Sequence, residues 1–483
     1  VIDLLPRRLV VAGVFSFATI VVAGLLYVMT TRSMTGSASL VVLAAGGIAG
    51  AVVVLRVPAH WLPALALALF AIVPSPLTPS GFTFRVTLWA VVLVVWVARR
   101  ALSPELWRAP IREWTSELVL TAPRAIAILS GFALLAWSAV VSLRSEYASA
   151  GISWMISITI CLMLPLFVFD AQREAVLLRK TWVILAAVFG FYACIELVLQ
   201  GSPLYGTVYE ILGRETVQHW SLYRAEATFG HPLLAGTFFT VGAALGFGAW
   251  LQGSRRSDLI CAIIAAAGVV GTVSRGPMAA VGIAIAVTLV AVAFMNPNRS
   301  LSRPGSIAVA GIIAAVGVLN FEPVTARNNN LDAAISADAR DEGITVALQA
   351  ADFSNWLGSG AGTSGITGRL FSEVVIENSF LQLLISVGIP GVIFFLIFVG
   401  ALAASALSKK DVAPATALLG FLICLAGYNA IDAVRPSHLL LGFLVIICLN
   451  PVHVPEFSKG IRMRRQPRGA RIFDAPVTAR SGR

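Results

Sequence analysis

The chain of 483 residues is 58% hydrophobic and only 12% charged, with a mean hydropathy of +0.86. Soluble domains carry roughly 25% charged residues, so a water-soluble fold is excluded. The net charge of +11 would suit a nucleic-acid surface, but its placement between apolar runs assigns it to a membrane boundary and not to nucleic acid.

Apolar runs of about 18 residues or more, each able to cross a bilayer core of about 30 Å, recur from end to end. They show no alternation of period two, which excludes a β-barrel. The expected fold is all-α, a polytopic membrane bundle of about fourteen (twelve to fourteen) helices forming one domain over 1–451. The spans fall near 9–29, 38–55, 59–76, 83–98, 125–142, 151–169, 181–199, 232–251, 259–273, 277–295, 305–321, 379–405, 413–430 and 437–451. The first follows Arg7 and Arg8 and ends without a small-residue cleavage site, so it reads as a retained helix. Segment 99–124 is amphipathic, with Leu102, Leu106, Trp107, Ile111 and Trp114 among arginines, and reads as an interfacial helix. The tail 452–483 is basic and polar, expected to be disordered against anionic head groups.

With the N-terminus inside, the inward segments hold 25 of the 35 Lys and Arg. The outward side holds Arg32, Arg85, Arg144, Arg214, Arg224, Arg275, Arg327, Arg340, Arg369 and Arg435. This asymmetry puts both termini in the cytoplasm. Every outward cation is an arginine, whose fork binds phosphate bidentately. With only four lysines in the chain, an arginine-rich composition is the simpler explanation. The five cysteines lie within expected spans at no metal-like spacing and read as small apolar residues.

Two outward loops, 200–231 and 322–378, are too long for simple turns, and loops of that length in a compact protein carry function. Within the second, the spacing of Ile344, Ala347, Leu348 and Ala351 predicts a helix over 338–353, broken at Gly358 and Gly360. "LYRAEATFGHPLLAG" (222–236) sets Arg224 and Glu226 before a helix opened by Pro232. Arg224 there can anchor at the head-group layer or bind an anion. His231 precedes that helix, as a cap or as a general base. "TVSRGPMAA" (272–280) is a tight outward turn that holds Arg275 at the membrane surface, either snorkelling or meeting phosphate. Arg340 has Asp338 and Asp341 nearby as local ion-pair partners. "NWLGSGAG" lacks the Lys-Ser/Thr ending of a phosphate loop. Glu377 is expected in the first turn of the helix after 378, where the helix dipole alone would favour a carboxylate. Facing the same compartment as Arg224, Arg275 and Arg340, it also suits abstraction of a hydroxyl proton. Glu196 and Asp432 lie near outer helix ends, able to line the same site.

In order, these pieces resemble the O-antigen ligase and polymerase superfamily of bacterial membrane glycosyltransferases. The matching stretches are "YRAEATFGHP", "TVSRG", "RDEGITVALQAADFSNWLGSGAG", and Asn378 followed by nine residues, Gly388 and then Gly391. The likeness covers about 222–400. It implies a multi-pass protein of the bacterial inner membrane acting on its extracytoplasmic face. The implied partners are a polyprenyl-diphosphate-linked glycan donor, a glycan or glycolipid acceptor, and membrane lipids; no cofactor is implied. Arg224, Arg275 and Arg340 would hold the diphosphate, Glu377 would deprotonate the acceptor with inversion at the anomeric carbon, and Asn378 would orient the acceptor or Glu377. His231 and Arg435 are further candidates. The ligases carry His where this chain has Glu377, which favours a polymerase-like role over ligase-type transfer to a lipid or protein. The outward loops contain no Asp-x-Asp pair, so transfer is expected to be metal-independent. The rival of another class is a transporter or flippase for lipid-linked glycan, which needs polar groups deep in the bundle and often broken helices.

Overall fold

The computed structural model describes residues 56–73, 88–102, 122–168, 170–207, 222–295, 325, 331–433 and 436–451. The expected spans 9–29, 38–55 and 305–321, Arg435, the tail and most of segment 99–124 lie outside the described residues.

The described residues form helices and no strand. In chain order these are α1 (Leu62–Ile72), α2 (Leu88–Ala101), α3 (Ala122–Leu143), α4 (Ala148–Leu166), α5 (Gln172–Leu199), α6 (Pro232–Leu251) and α7 (Arg256–Gly271). They continue with α8 (Arg275–Met295), α9 (Leu331–Phe353), α10 (Ser364–Gly368), α11 (Ser379–Ser408), α12 (Val412–Leu425) and α13 (Pro436–Leu449). Six of them, α3, α4, α5, α6, α8 and α11, are long and apolar enough to cross a membrane.

α6 is the hub. Nearly all of its side chains are buried, and it packs against α5, α7, α8 and α12. Small residues make this close approach possible. A Cβ built on Gly236 would lie 2.7 Å from the Pro277 ring of α8, one on Gly242 2.2 Å from Ala186 of α5, and one on Gly248 2.6 Å from Ala413 of α12. α5 and α7 cross in the same way at Gly190 and Gly268.

Two charges near the start of α5 are paired. α5 begins at Gln172, earlier than the expected 181, because its charged first turns have partners: Glu174 pairs with Arg100 of α2 at 3.5 Å, and Arg179 with the buried Asp411 at 3.2 Å. α12 ends at Leu425 rather than 430, since residues 426–433 are needed as turns that bind the neighbouring loop.

α11 is interrupted. Gly388 leaves the helix at φ +67°, and Pro390 supplies no N–H. Thirty residues at about 1.5 Å each would measure about 45 Å, longer than a bilayer core, whereas 389–408 alone measure about 30 Å. The carbonyls freed at the break are taken by other parts of the chain. Ser359 N–H donates to Ile385 O (2.9 Å), Gly360 N–H to Ser386 O (3.0 Å) and the Trp137 indole to Val387 O (2.7 Å). In return Ile389 N–H donates to Trp356 O at 2.9 Å. The long segment before α11 is therefore no free loop. α9 packs on α11, and the glycine-rich stretch plugs the break.

Candidate functional site

The stretch from Arg224 to Phe229 is pinned at almost every residue. Buried Arg224 donates from Nε to Thr272 O (3.3 Å) and from its terminal nitrogen to Ser274 Oγ (2.7 Å). Ala225 N–H reaches Gly271 O, and Thr228 Oγ1 donates to Ala71 O at 2.6 Å. The N–H groups of Glu226 and Ala227 both donate to Glu196 Oε2, at 3.2 and 2.9 Å. Two separate sequence motifs thus form one body, with Arg224 as the tie to the T-V-S-R-G turn. Arg224 is not a head-group anchor.

That turn holds Val273 at φ +47°, and the Arg224 segment holds Ala227 at φ +48°. A β-branched residue with positive φ is an outlier, and such strain persists only where surrounding contacts enforce it. Arg275 follows as the first residue of α8 rather than within the turn, and its side chain is exposed.

His231 caps α6, its Nδ1 accepting from Leu233 N–H at 3.2 Å. Burial, with the Arg224 charge adding to it, pushes its pKa down to about 4, so it is neutral at physiological pH. Its ring stacks on Tyr428, with centroids 5.1 Å apart. Tyr428 is buried beside Glu377; burial first, and that carboxylate second, raise the pKa of its phenol. Ser379 Oγ at the start of α11 donates to Tyr428 O at 2.5 Å and accepts from Ala430 N–H at 2.8 Å.

Glu377 is not in the first helical turn. Asn378 is the N-cap, with extended backbone, and its Oδ1 accepts from Phe380 and Leu381 N–H at 2.9 and 3.2 Å. Glu377 therefore stands just outside the helix, where it pairs with Arg340 at 3.8 Å; both side chains are about half exposed. This ion pair replaces the local partners Asp338 and Asp341 expected for Arg340.

Asp432 departs from expectation more sharply. It is buried, and it holds the glycine-rich loop in place of lining an open site. It accepts from Gly362 N–H (2.9 Å), Ser364 N–H (3.0 Å), Ser386 Oγ (2.9 Å) and the Ser364 hydroxyl. Burial raises its pKa, against those hydrogen bonds. All six N–H groups of 359–364 are bonded within the protein, so the loop is no phosphate cradle.

The expected residues are thus joined in series. Arg275 follows the turn held by Arg224, Arg224 lies beside His231, His231 stacks on Tyr428, and Tyr428 borders Glu377 and its partner Arg340. The N-termini of α6, α8 and α11 meet in this series, adding positive helix ends to the arginines. Three residues outside the expected set belong here. Ser274 lies inside the motif already singled out. Tyr428 falls where an apolar run hides a turn. Glu226, two residues after Arg224, has its pKa pushed up to about 7 by burial and then by Glu196, with Arg224 opposing. No protein-family model matches the chain, and no relative is found among curated proteins.

Proposed function

We propose that the protein is an inverting glycosyltransferase on the extracytoplasmic face of a bacterial inner membrane. It moves a glycan from a polyprenyl diphosphate to an acceptor hydroxyl in a polymerase-like step of surface polysaccharide assembly, with ligase-type transfer as the alternative. The observation that carries this reading is the series from Arg275 and Arg224 through His231 and Tyr428 to Glu377 and Arg340. It sets fixed and exposed guanidiniums beside an accessible carboxylate at helix N-termini.

In this reading Arg275, exposed at the head of α8, meets the diphosphate, and Arg224 fixes the turn that presents it. The arriving diphosphate competes with Glu377 for Arg340. The released carboxylate then accepts the acceptor's proton as the hydroxyl oxygen attacks the anomeric carbon. Asn378, by capping α11, positions its neighbour Glu377. The transfer needs no metal.

The break in α11 is the one feature that favours a transporter, since discontinuous helices often line transport sites. Its freed carbonyls are filled by the protein's own loop, which supports transfer over transport.

The test expresses the wild type, Arg275→Ala and Glu377→Gln at equal membrane levels in cells lacking the endogenous copy, and resolves surface glycans by length. Loss of long chains with single units retained supports a polymerase that uses these residues. Chains left on the carrier lipid support a ligase. Unchanged glycans in both variants contradict the site.

A further inference from the structure

Glu196 is a buried carboxylate, about 1% exposed, without an ion pair among the described residues. Its Oε2 is occupied by the two backbone N–H groups of 226 and 227. Its Oε1 is buried, and the Tyr192 and Ser202 hydroxyls, bonded to each other at 3.0 Å, lie near the carboxylate. The clamp fixes the Glu226 backbone on a strained, pinned turn two residues after the buried Arg224, and the half-buried Glu226 side chain feels both the Glu196 and the Arg224 groups. The other ionisable groups around the pair are Tyr192 on α5, Tyr205 after it and Tyr223 on the same segment. A second carboxylate thus stands at the arginine end of the site, apart from the Glu377–Arg340 pair at the other end.

We infer that Glu226, clamped by Glu196 beside Arg224, gives a proton to the departing polyprenyl diphosphate; this rests on the transfer reading above. The acceptor oxygen forms its bond to the anomeric carbon as the bond from that carbon to the diphosphate oxygen breaks, and the bonding pair leaves with the diphosphate. The acceptor's proton passes to the Glu377 carboxylate. The Glu226 proton passes to the diphosphate oxygen that has gained the pair. One proton is taken up and one released, and both carboxyls reset by exchange with water. The two roles need two environments. Glu377 is exposed and paired with a cation, whereas Glu226 is half-buried, and burial first, with the Glu196 carboxylate second, favours its protonated form.

The experiment reconstitutes the full chain in proteoliposomes with a polyprenyl-diphosphate-linked oligosaccharide and an acceptor glycan. It measures kcat from pH 5.5 to 9 for the wild type, Glu226→Gln, Glu196→Gln and Glu377→Gln. The wild-type rate should fall on the alkaline side as Glu226 ionises. Glu226→Gln should lose about 100-fold in kcat, within the usual range for a general acid, and its residual rate should lack the alkaline limb. Glu196→Gln keeps a carbonyl acceptor for the clamp but removes the charge, and should move the alkaline limb to lower pH. Glu377→Gln should lose rate while keeping that limb. A Glu226→Gln protein that retains the alkaline limb, at whatever rate, overturns the inference and leaves the transfer reading standing. A wild type that transfers nothing from any polyprenyl diphosphate overturns both.

Discussion

Arg224 and Arg275 carry the same charge into different surroundings. Arg224 is buried and committed to Thr272 and Ser274, whereas Arg275 is exposed at the head of α8. Arg224→Ala should therefore lower stability by about 2–4 kcal/mol, through lost buried hydrogen bonds and an unsupported turn. Arg275→Ala should change it by less than about 0.5 kcal/mol while abolishing transfer. Thermal unfolding of both purified variants separates the roles, and equal destabilisation would contradict them. His231 gives a pH test. The unfolded chain protonates this ring near its ordinary value of 6.5, the folded protein only near 4. Between those values the unfolded state binds more protons, so stability should fall as pH is lowered from about 6.5 to about 4. His231→Asn keeps a capping side chain and should remove that part of the acid loss, which the pH dependence of the thermal midpoint would show. Which residues meet was only partly legible in the sequence. Arg224, Arg275, Arg340 and Glu377 could be singled out because a charge at the edge of an apolar run is conspicuous. Their partners could not. That Arg340 chooses Glu377 over Asp338 and Asp341 depends on how α9 packs on α11.

At the scale of elements, helix starts with local chemistry were readable and breaks were not. α6 begins at Pro232 and α11 at Ser379, as expected, because Pro and a capping His or Asn mark those ends. The interruption at Gly388 is invisible to hydropathy, since "VGIPG" is as apolar as a continuing span. It becomes necessary only when 355–363 must pack into it. A Cβ on Gly388 would lie 2.4 Å from both the Trp356 oxygen and the Leu357 carbonyl carbon, at a φ that favours glycine. Gly388→Ala should cost about 3 kcal/mol or more, by backbone collision and strain. Gly400→Ala, in the same helix with open space around the added methyl, should be neutral or stabilising by up to about 1 kcal/mol. Denaturation of the pair in detergent checks this contrast.

For the whole molecule, composition alone points to helices in a membrane, and the six long apolar helices agree with it. The arrangement of the bundle follows from its glycines, which let α5, α7, α8 and α12 close on α6. The segments before α6 and α11 then bring their charged residues together through the stacked His231 and Tyr428. No hydropathy profile could foresee that stacking, because the two rings lie in different apolar stretches of the chain. The central claim is that this assembled end of the bundle transfers glycan off a polyprenyl diphosphate. The most direct measurement places the purified protein in sealed vesicles with a radiolabelled polyprenyl-diphosphate-linked glycan and an acceptor, in the presence of EDTA. Both the glycosylated acceptor and the free polyprenyl diphosphate are followed. The account predicts equal amounts of the two products, undiminished by EDTA and lost in Arg275→Ala. Movement of intact donor across the bilayer with neither product formed would contradict it and identify a transporter.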